Sequence, residues 1–271
     1  MTLIKRVSHG DVEGGRFGKY NIADNSTALI YRIGNTVIDS GPPNQWAAVR
    51  GYLSEKRFEK VLLTHHHEDH SGNGARISRH FGVPVYIHSM GIEPIKKGFP
   101  VRLYQRIFWG RPTPFTPSPT PEWIETDSGH HLKPIHTPGH APDHVCFLEP
   151  DKKWLFTGDL FLATRPKLFR ADENLAREIE SLKTILTYDF QTVFCAHKGV
   201  VPDGYSLLEK KLDYFTGLVH EVKAMHSEGR SVVEITHQLF GKKDSIGMIS
   251  FKHICCENLI RECLLVDNDV V

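Results

Sequence analysis

One short segment constrains this chain more than anything else in it: Thr64-His65-His66-His67-Glu68-Asp69-His70, set directly after the apolar run Val61-Leu62-Leu63. A brief, continuously apolar run reads as a strand buried on both faces. A helical pattern follows over 72–81, with Ala75, Ile77 and Phe81 inward. A strand, a polar loop and a helix in that order belong to a layered α/β core. Within the loop, His65, His67, Asp69 and His70 keep the spacing HxHxDH. Alternate residues of an extended loop face the same way, so His65 and His67 can offer imidazole nitrogens to one cation. Where the loop turns into the helix, Asp69 and His70 swing to an adjacent position and could serve a second cation. A lone histidine would mean little, but four ligand-type side chains in six positions at a strand end mean metal binding.

The rest of the chain reads around that segment. Residues 27–39 form two strands joined by a tight Gly34-Asn35 turn, with Gly41-Pro42-Pro43 ending the hairpin and a helix over about 44–55. Val83-Pro84-Val85-Tyr86-Ile87 returns as a strand. Residues 89–123 interrupt the rhythm with Pro112, Pro114, Pro117, Pro119 and Pro121 among aromatic residues. Prolines at that density prevent long regular elements, so an ordered insertion beside the site is expected, as a lid or a subunit contact. Strands are expected near 132–136, 144–148, 153–157 and 191–196. Helices are expected over 173–187, 204–227, 231–240 and 250–266.

Three further ligand-type residues each follow an apolar run: His140 in Thr137-Pro138-Gly139-His140, Asp159 in Phe156-Thr157-Gly158-Asp159, and His197 after the strand ending at Ala196. Side chains at the carboxyl ends of neighbouring strands converge where open α/β sheets bind ligands. With Asp39 in Ile38-Asp39-Ser40-Gly41 and the Ala196-His197-Lys198-Gly199 segment, this ordered set resembles the metallo-β-lactamase-fold superfamily of hydrolases over roughly residues 22–205, in its glyoxalase II-like branch. The resemblance implies an α/β fold, a four-layer αββα sandwich with the metal centre along one edge. It implies a metallo-β-lactamase-fold domain over 1–210, including the insertion, and a C-terminal helical extension over 211–271. Carried over residue by residue, it implies one cation held by His65, His67 and His140 and another by Asp69, His70 and His197, with Asp159 bridging both. Asp39 matches an aspartate that is structural, holding the metal-binding loop by hydrogen bonds. The flavodiiron branch has glutamate where this chain has His67, and B1-type antibiotic-degrading lactamases use a second-site cysteine that is missing here.

The implied function is a metal-dependent hydrolase in which a hydroxide bound to two divalent cations attacks a small ester, thioester or lactone. Asp69 orients the nucleophile and carries a proton. Zinc is the default for an imidazole-rich site, with iron, manganese or cobalt compatible. The rival readings are a phosphodiesterase or ribonuclease with the same centre, and a mono-iron enzyme like the persulfide dioxygenases, against which the presence of both His70 and His197 argues. Thirty-three basic against thirty-two acidic residues give a net charge of +1, which provides no long-range pull on nucleic acid. The expected partner is a small-molecule substrate. No run reaches the roughly 18 apolar residues of a membrane span, and the first twenty residues have no apolar segment of a secretory signal. Five cysteines without a CxxC pair read as reduced thiols, so a cytoplasmic setting is expected. Cys195 reads as a small buried side chain, His66 as a residue pointing away from its neighbours, His144 as a contact behind the ligands or simple packing, and His88 as one that could face the site. Arg165, Lys167 and Arg170, beyond Asp159, read as a solvated loop or as an anchor for an anionic substrate. The pattern leaves oligomeric state and the histidines at 130, 131 and 136 without an account.

Overall fold

Period-two alternation builds the middle of the molecule. In the computed structural model, which describes residues 3–22 and 24–271, a seven-stranded sheet runs in the order β1 (Lys5–His9), β2 (Val12–Phe17), β3 (Ala28–Ile33), β4 (Thr36–Ile38), β5 (Lys60–Leu62), β6 (Val85–Ile87) and β7 (Ser118–Pro119). On β3, Leu29, Tyr31 and Ile33 face one hydrophobic cluster while Ile30 faces another. Neighbouring Leu62 and Val61 on β5 divide in the same way.

The first cluster lies between this sheet and a second one. The second sheet has the order β14 (Gly199–Val201), β13 (Thr192–Cys195), β11 (Trp154–Gly158), β10 (Val145–Glu149), β9 (His131–His136) and β8 (Ile124–Glu125). Phe147, Phe156 and Phe194 from that sheet pack with Tyr31, Ile38 and Leu62 from the first, and Phe156 stacks on Phe194 at 4.6 Å. The other face of the first sheet is covered by α1 (Trp46–Leu53) and α3 (Gly74–Phe81), through Val49, Tyr52, Leu53 and Ile77. These are three of the four layers that the resemblance implied.

Two compact units divide the chain. The first runs up to His136 and adds Pro142–Leu162 and Asp189–Gly204. The second combines Thr137–Ala141, Ala163–Tyr188 and Tyr205–Val271. It holds α6 (Leu175–Ile185), most of α7 (Gly204–Ser227), α8 (Val232–Phe240), α9 (Ser245–Ile249), α10 (Cys256–Leu265) and a two-stranded pairing of β12 (Phe169–Arg170) with β15 (Ile254–Cys255). The expected helix over 250–266 starts later than the pattern suggested: left-handed Phe251 and Lys252 (φ 54° and 59°) break the chain, and β15 precedes α10. Residues 89–123 also differ from expectation, because α4 (Ser89–Lys97) and α5 (Leu103–Phe108) form before the proline-dense part, which admits only β7. The pairing of β1 with β2 has no counterpart in the sequence reading. Two glycines, Gly14 and Gly15, blur the hydrophobic alternation there, and an added Cβ would lie 2.6 Å from Val7 and 2.9 Å from Leu3 respectively.

Candidate metal centre

The loop after β5 is held from behind. Asp39, the residue after β4, takes φ 63°, a left-handed conformation that short polar side chains tolerate best. Its carboxylate accepts from Thr64 N at 2.8 Å, from Thr64 Oγ1 at 3.0 Å and from His70 Nδ1 at 2.8 Å. With Nδ1 so occupied, His70 presents Nε2 forward. Ser40 adds a second brace, since its N and Oγ both donate to His70 O at 2.7 Å.

Beyond Thr64 the backbone extends and then coils. His65 and His67 converge, Nε2 to Nδ1, at 2.9 Å. His67 precedes the short α2 (Glu68–Ser71), whose first turn carries Asp69 and His70. His70 Nε2 lies 3.3 Å from Asp159 Oδ1 and 3.8 Å from Asp69 Oδ1. His197 Nε2 lies 3.2 Å from Asp159 Oδ1 and 3.6 Å from Asp69 Oδ2, while its Nδ1 donates to Thr27 O at 2.6 Å. Two overlapping groups result, His65–His70–Asp159 and Asp69–His70–His197, each with its ligand atoms within 4.8 Å of one another. Asp39, His65, Asp159 and His197 all follow the carboxyl ends of β4, β5, β11 and β13, strands that run parallel in pairs.

Burial sets the electrostatics. Dehydration alone would lower the basicity of His70 and His197, but Asp159, Asp39 and Asp69 outweigh it at His70, and Asp159 and Asp69 outweigh it at His197, so both imidazoles rise above their ordinary range. His70 Nε2 is buried without a hydrogen-bond partner among the described residues. Converging imidazoles and carboxylates, most of them closed to solvent, form a donor set suited to divalent cations, and the residues present fit such an ion.

His140 sits in the second unit, on the Thr137–Ala141 turn. Its Nδ1 lies 2.6 Å from Glu173 Oε1. Its turn is cradled by the start of α6: Asn174 N donates to Gly139 O at 2.9 Å and Ser181 Oγ to Pro138 O at 2.6 Å.

Other histidines sort plainly. His144 backs the centre: its Nε2 accepts from Asp159 N at 3.1 Å and its ring lies 5.2 Å from that of His65. His66 turns away from the cluster to Asp143, Nδ1 to Oδ1 at 2.7 Å, with its ring edge on Phe99. His88 stacks flat on His136 at 4.1 Å. His130 is buried between Glu149 and Asp11. Cys195 is buried as expected, its thiol pushed up by burial to about 11, and its Sγ accepts from His197 N and Lys198 N. Asp143, Thr64, Ser40 and Glu173 are the supporting residues that motif reading missed.

A two-sheet sandwich with imidazoles and carboxylates gathered at its strand ends defines a class of metal-dependent enzymes. The chain belongs to the metallo-beta-lactamase superfamily, whose family model matches residues 24–197. It is 26% identical to the lactamase-like protein aptB of Emericella nidulans over 81% of this chain and 66% of that protein. It is 27% identical to an atrochrysone carboxyl ACP thioesterase of Aspergillus fumigatus over 74% of this chain and 59% of that one. The chain thus spans about three fifths of the length of these curated relatives. Among solved structures, a beta-lactamase domain protein from Burkholderia ambifaria superposes with a TM-score of 0.73 at 17% identity, covering 96% of this chain and 87% of its own. A metallo-beta-lactamase family protein from Thermus thermophilus gives 0.63 at 19% identity, covering 92% and 90%. These likenesses establish the metallo-beta-lactamase fold. No helix among the described residues is long and apolar enough to cross a membrane.

Proposed function

We propose that this chain hydrolyses an acyl thioester, or a closely related ester or lactone, with two divalent cations, zinc by default. The observation that carries the reading is the pair of overlapping groups that share His70, with two carboxylates, Asp69 and Asp159, opposite the imidazoles. His65, His67, Asp69, His70, Asp159 and His197 would hold the cations in this reading. The family resemblance adds His140 through its Nε2. Cations bound there would supply Lewis acidity, making water more acidic and polarising an acyl carbonyl. Asp69 orients the attacking water, accepts its proton and passes it toward the leaving group. Asp39 and Thr27 fix the imidazole tautomers through Nδ1 of His70 and His197. A thiol, with a pKa of about 8.5, leaves with little protonation, so one carboxylate suffices as proton carrier. The A. fumigatus relative, named a thioesterase, supports the thioester among the three acyl classes. The five cysteines are buried and form no disulfide among the described residues, which suits a reducing, cytoplasmic setting.

The test pairs metal analysis with a hydrolysis panel of thioesters, lactones, phosphodiesters and β-lactams. Thioester or lactone turnover should lead that panel. His67→Ala and Asp159→Ala should each cut turnover by at least about 100-fold and lower bound metal. His66→Ala, which loses one hydrogen bond to Asp143, should cost about 1 kcal/mol of stability and leave most activity. Full turnover in Asp159→Ala would remove the shared-ligand role.

A further inference from the structure

A cleft of about 450 Å³ opens in the first unit, lined by Lys19, Asn21, Asn44, Gln45, Arg106 and Ile107 among others. It is tied to the cation cluster by two stretches of chain. The loop between β2 and β3 contributes Lys19 and Asn21 to the cleft, and at its far end Thr27 O accepts from His197 Nδ1. The segment after β4 contributes Asn44 and Gln45, and at its near end Ser40 bonds His70 O. The first stretch therefore meets the His197 imidazole and the second the His70 backbone carbonyl at one end, and each forms a wall of the cleft at the other.

The lining has a definite chemistry. Among the described lining residues two are cationic, three carry side-chain amides and none is acidic. Arg106 uses Nε on Val101 O at 3.0 Å, so its Nη groups remain as donors. Lys19 lies over the exposed Tyr20 ring at 5.0 Å, and Tyr20 in turn meets Phe108 edge-on at 5.3 Å. The surroundings reinforce the sign: residues 88–121 carry Lys96, Lys97, Arg102, Arg106 and Arg111 against the single acid Glu93. Cations beside amides and exposed apolar carbon match an extended thiol that bears peptide amides along its length and a phosphate at its end.

Building on the thioesterase reading, we infer that the cleft binds the leaving-group arm of the substrate, a phosphopantetheine thiol, with Lys19 and Arg106 on its phosphate and the amide side chains on its amides. Charge-assisted bonds to phosphate are the stronger part of such recognition. The phosphopantetheine arises either as part of coenzyme A or attached to a carrier protein, and both present the same arm.

The experiment is binding, independent of turnover. Phosphopantetheine and its dephosphorylated form, pantetheine, are titrated calorimetrically into the wild-type protein and into Lys19→Glu/Arg106→Glu, both sites exposed, in the presence and absence of zinc. The wild type should prefer the phosphorylated thiol by about tenfold or more, and the variant should lose that preference. An equal affinity for both thiols in the wild type, or an undiminished preference in the variant, overturns the assignment. Competition by coenzyme A and by a phosphopantetheinylated carrier protein then separates the sources, the tighter competitor identifying the natural one. Binding with the expected preference but without thioester hydrolysis would refute the proposed reaction and leave the cleft's ligand in place.

Discussion

Asp39 shows how one residue prepares the centre without touching a substrate. Its left-handed backbone aims one carboxylate at Thr64 and His70 together, which sets the loop and the imidazole tautomer at once. Asp39→Ala strands those buried donors and should cost about 3–5 kcal/mol, near the limit of what a domain tolerates. Asp39→Asn is the sharper probe. Asparagine accepts the left-handed conformation, and its oxygen still serves Thr64 N, but an amide NH₂ set against His70 Nδ1–H puts donor against donor. We expect a stability loss of only about 1–2 kcal/mol with a metal affinity about tenfold lower, read by denaturant melts and by competition with a chelator. At this scale the sequence was most legible where spacing alone carried the meaning: HxHxDH fixes which side chains share a face, and the structure brings His65, His67, Asp69, His70, Asp159 and His197 together. Asp143 and Glu173 were illegible because their roles rest on contacts with His66, 77 residues away, and with His140 across a turn.

At the scale of elements, α6 matters more for what its start holds than for its own packing. Asn174 caps it, accepting from Arg177 N at 2.9 Å, and the same residue's N–H reaches back to Gly139 O. Deeper in the helix, Glu178 is buried against Lys211 of α7 at 2.6 Å, its carboxyl raised by burial against the pull of that ammonium. A Cβ on Gly139, at φ 146°, would lie 2.6 Å from Glu178 Cα, a backbone atom that cannot swing aside. Gly139→Ala should therefore cost about 3–5 kcal/mol and displace His140, lowering metal content. Gly82→Ala is the control: φ is 69°, but nothing lies within 4 Å of the added carbon, so the cost should stay near 1 kcal/mol. Thermal melts and metal analysis of both variants distinguish backbone strain alone from strain with collision. Elements with a strong period were legible before the fold was seen, α7 over 204–227 most of all. The β1–β2 pairing and the helices of 89–108 were not: glycines weaken alternation in the first, and in the second Pro94 stands inside α4, where local pattern argues against a helix. Tertiary packing, which local pattern does not contain, decided both.

At the scale of the molecule, seventeen histidines in a chain of net charge +1 acquire a physical consequence. Several of them, with Asp69 and Asp159, are almost wholly buried. Without a cation, the imidazoles must hold protons against the cost of burial or face one another's lone pairs, and the carboxylates depend on those protons for compensation. A cation that binds the folded chain and not the unfolded one adds RT ln(1 + [L]/Kd) to stability, about 2.7 kcal/mol when its free concentration is 100 times Kd. Exhaustive chelation should therefore lower the melting temperature by several degrees, about 2–4 °C per kcal/mol for a chain of this size. Added zinc should restore the melting temperature in proportion to the logarithm of its free concentration. The same titration on Asp159→Ala should show a smaller, weaker response, because the carboxylate that lies against both His70 and His197 is gone. A melting temperature indifferent to chelator and zinc in the wild-type protein would mean that the buried imidazoles are a hydrogen-bonded core, and the hydrolytic reading would then lose its physical basis.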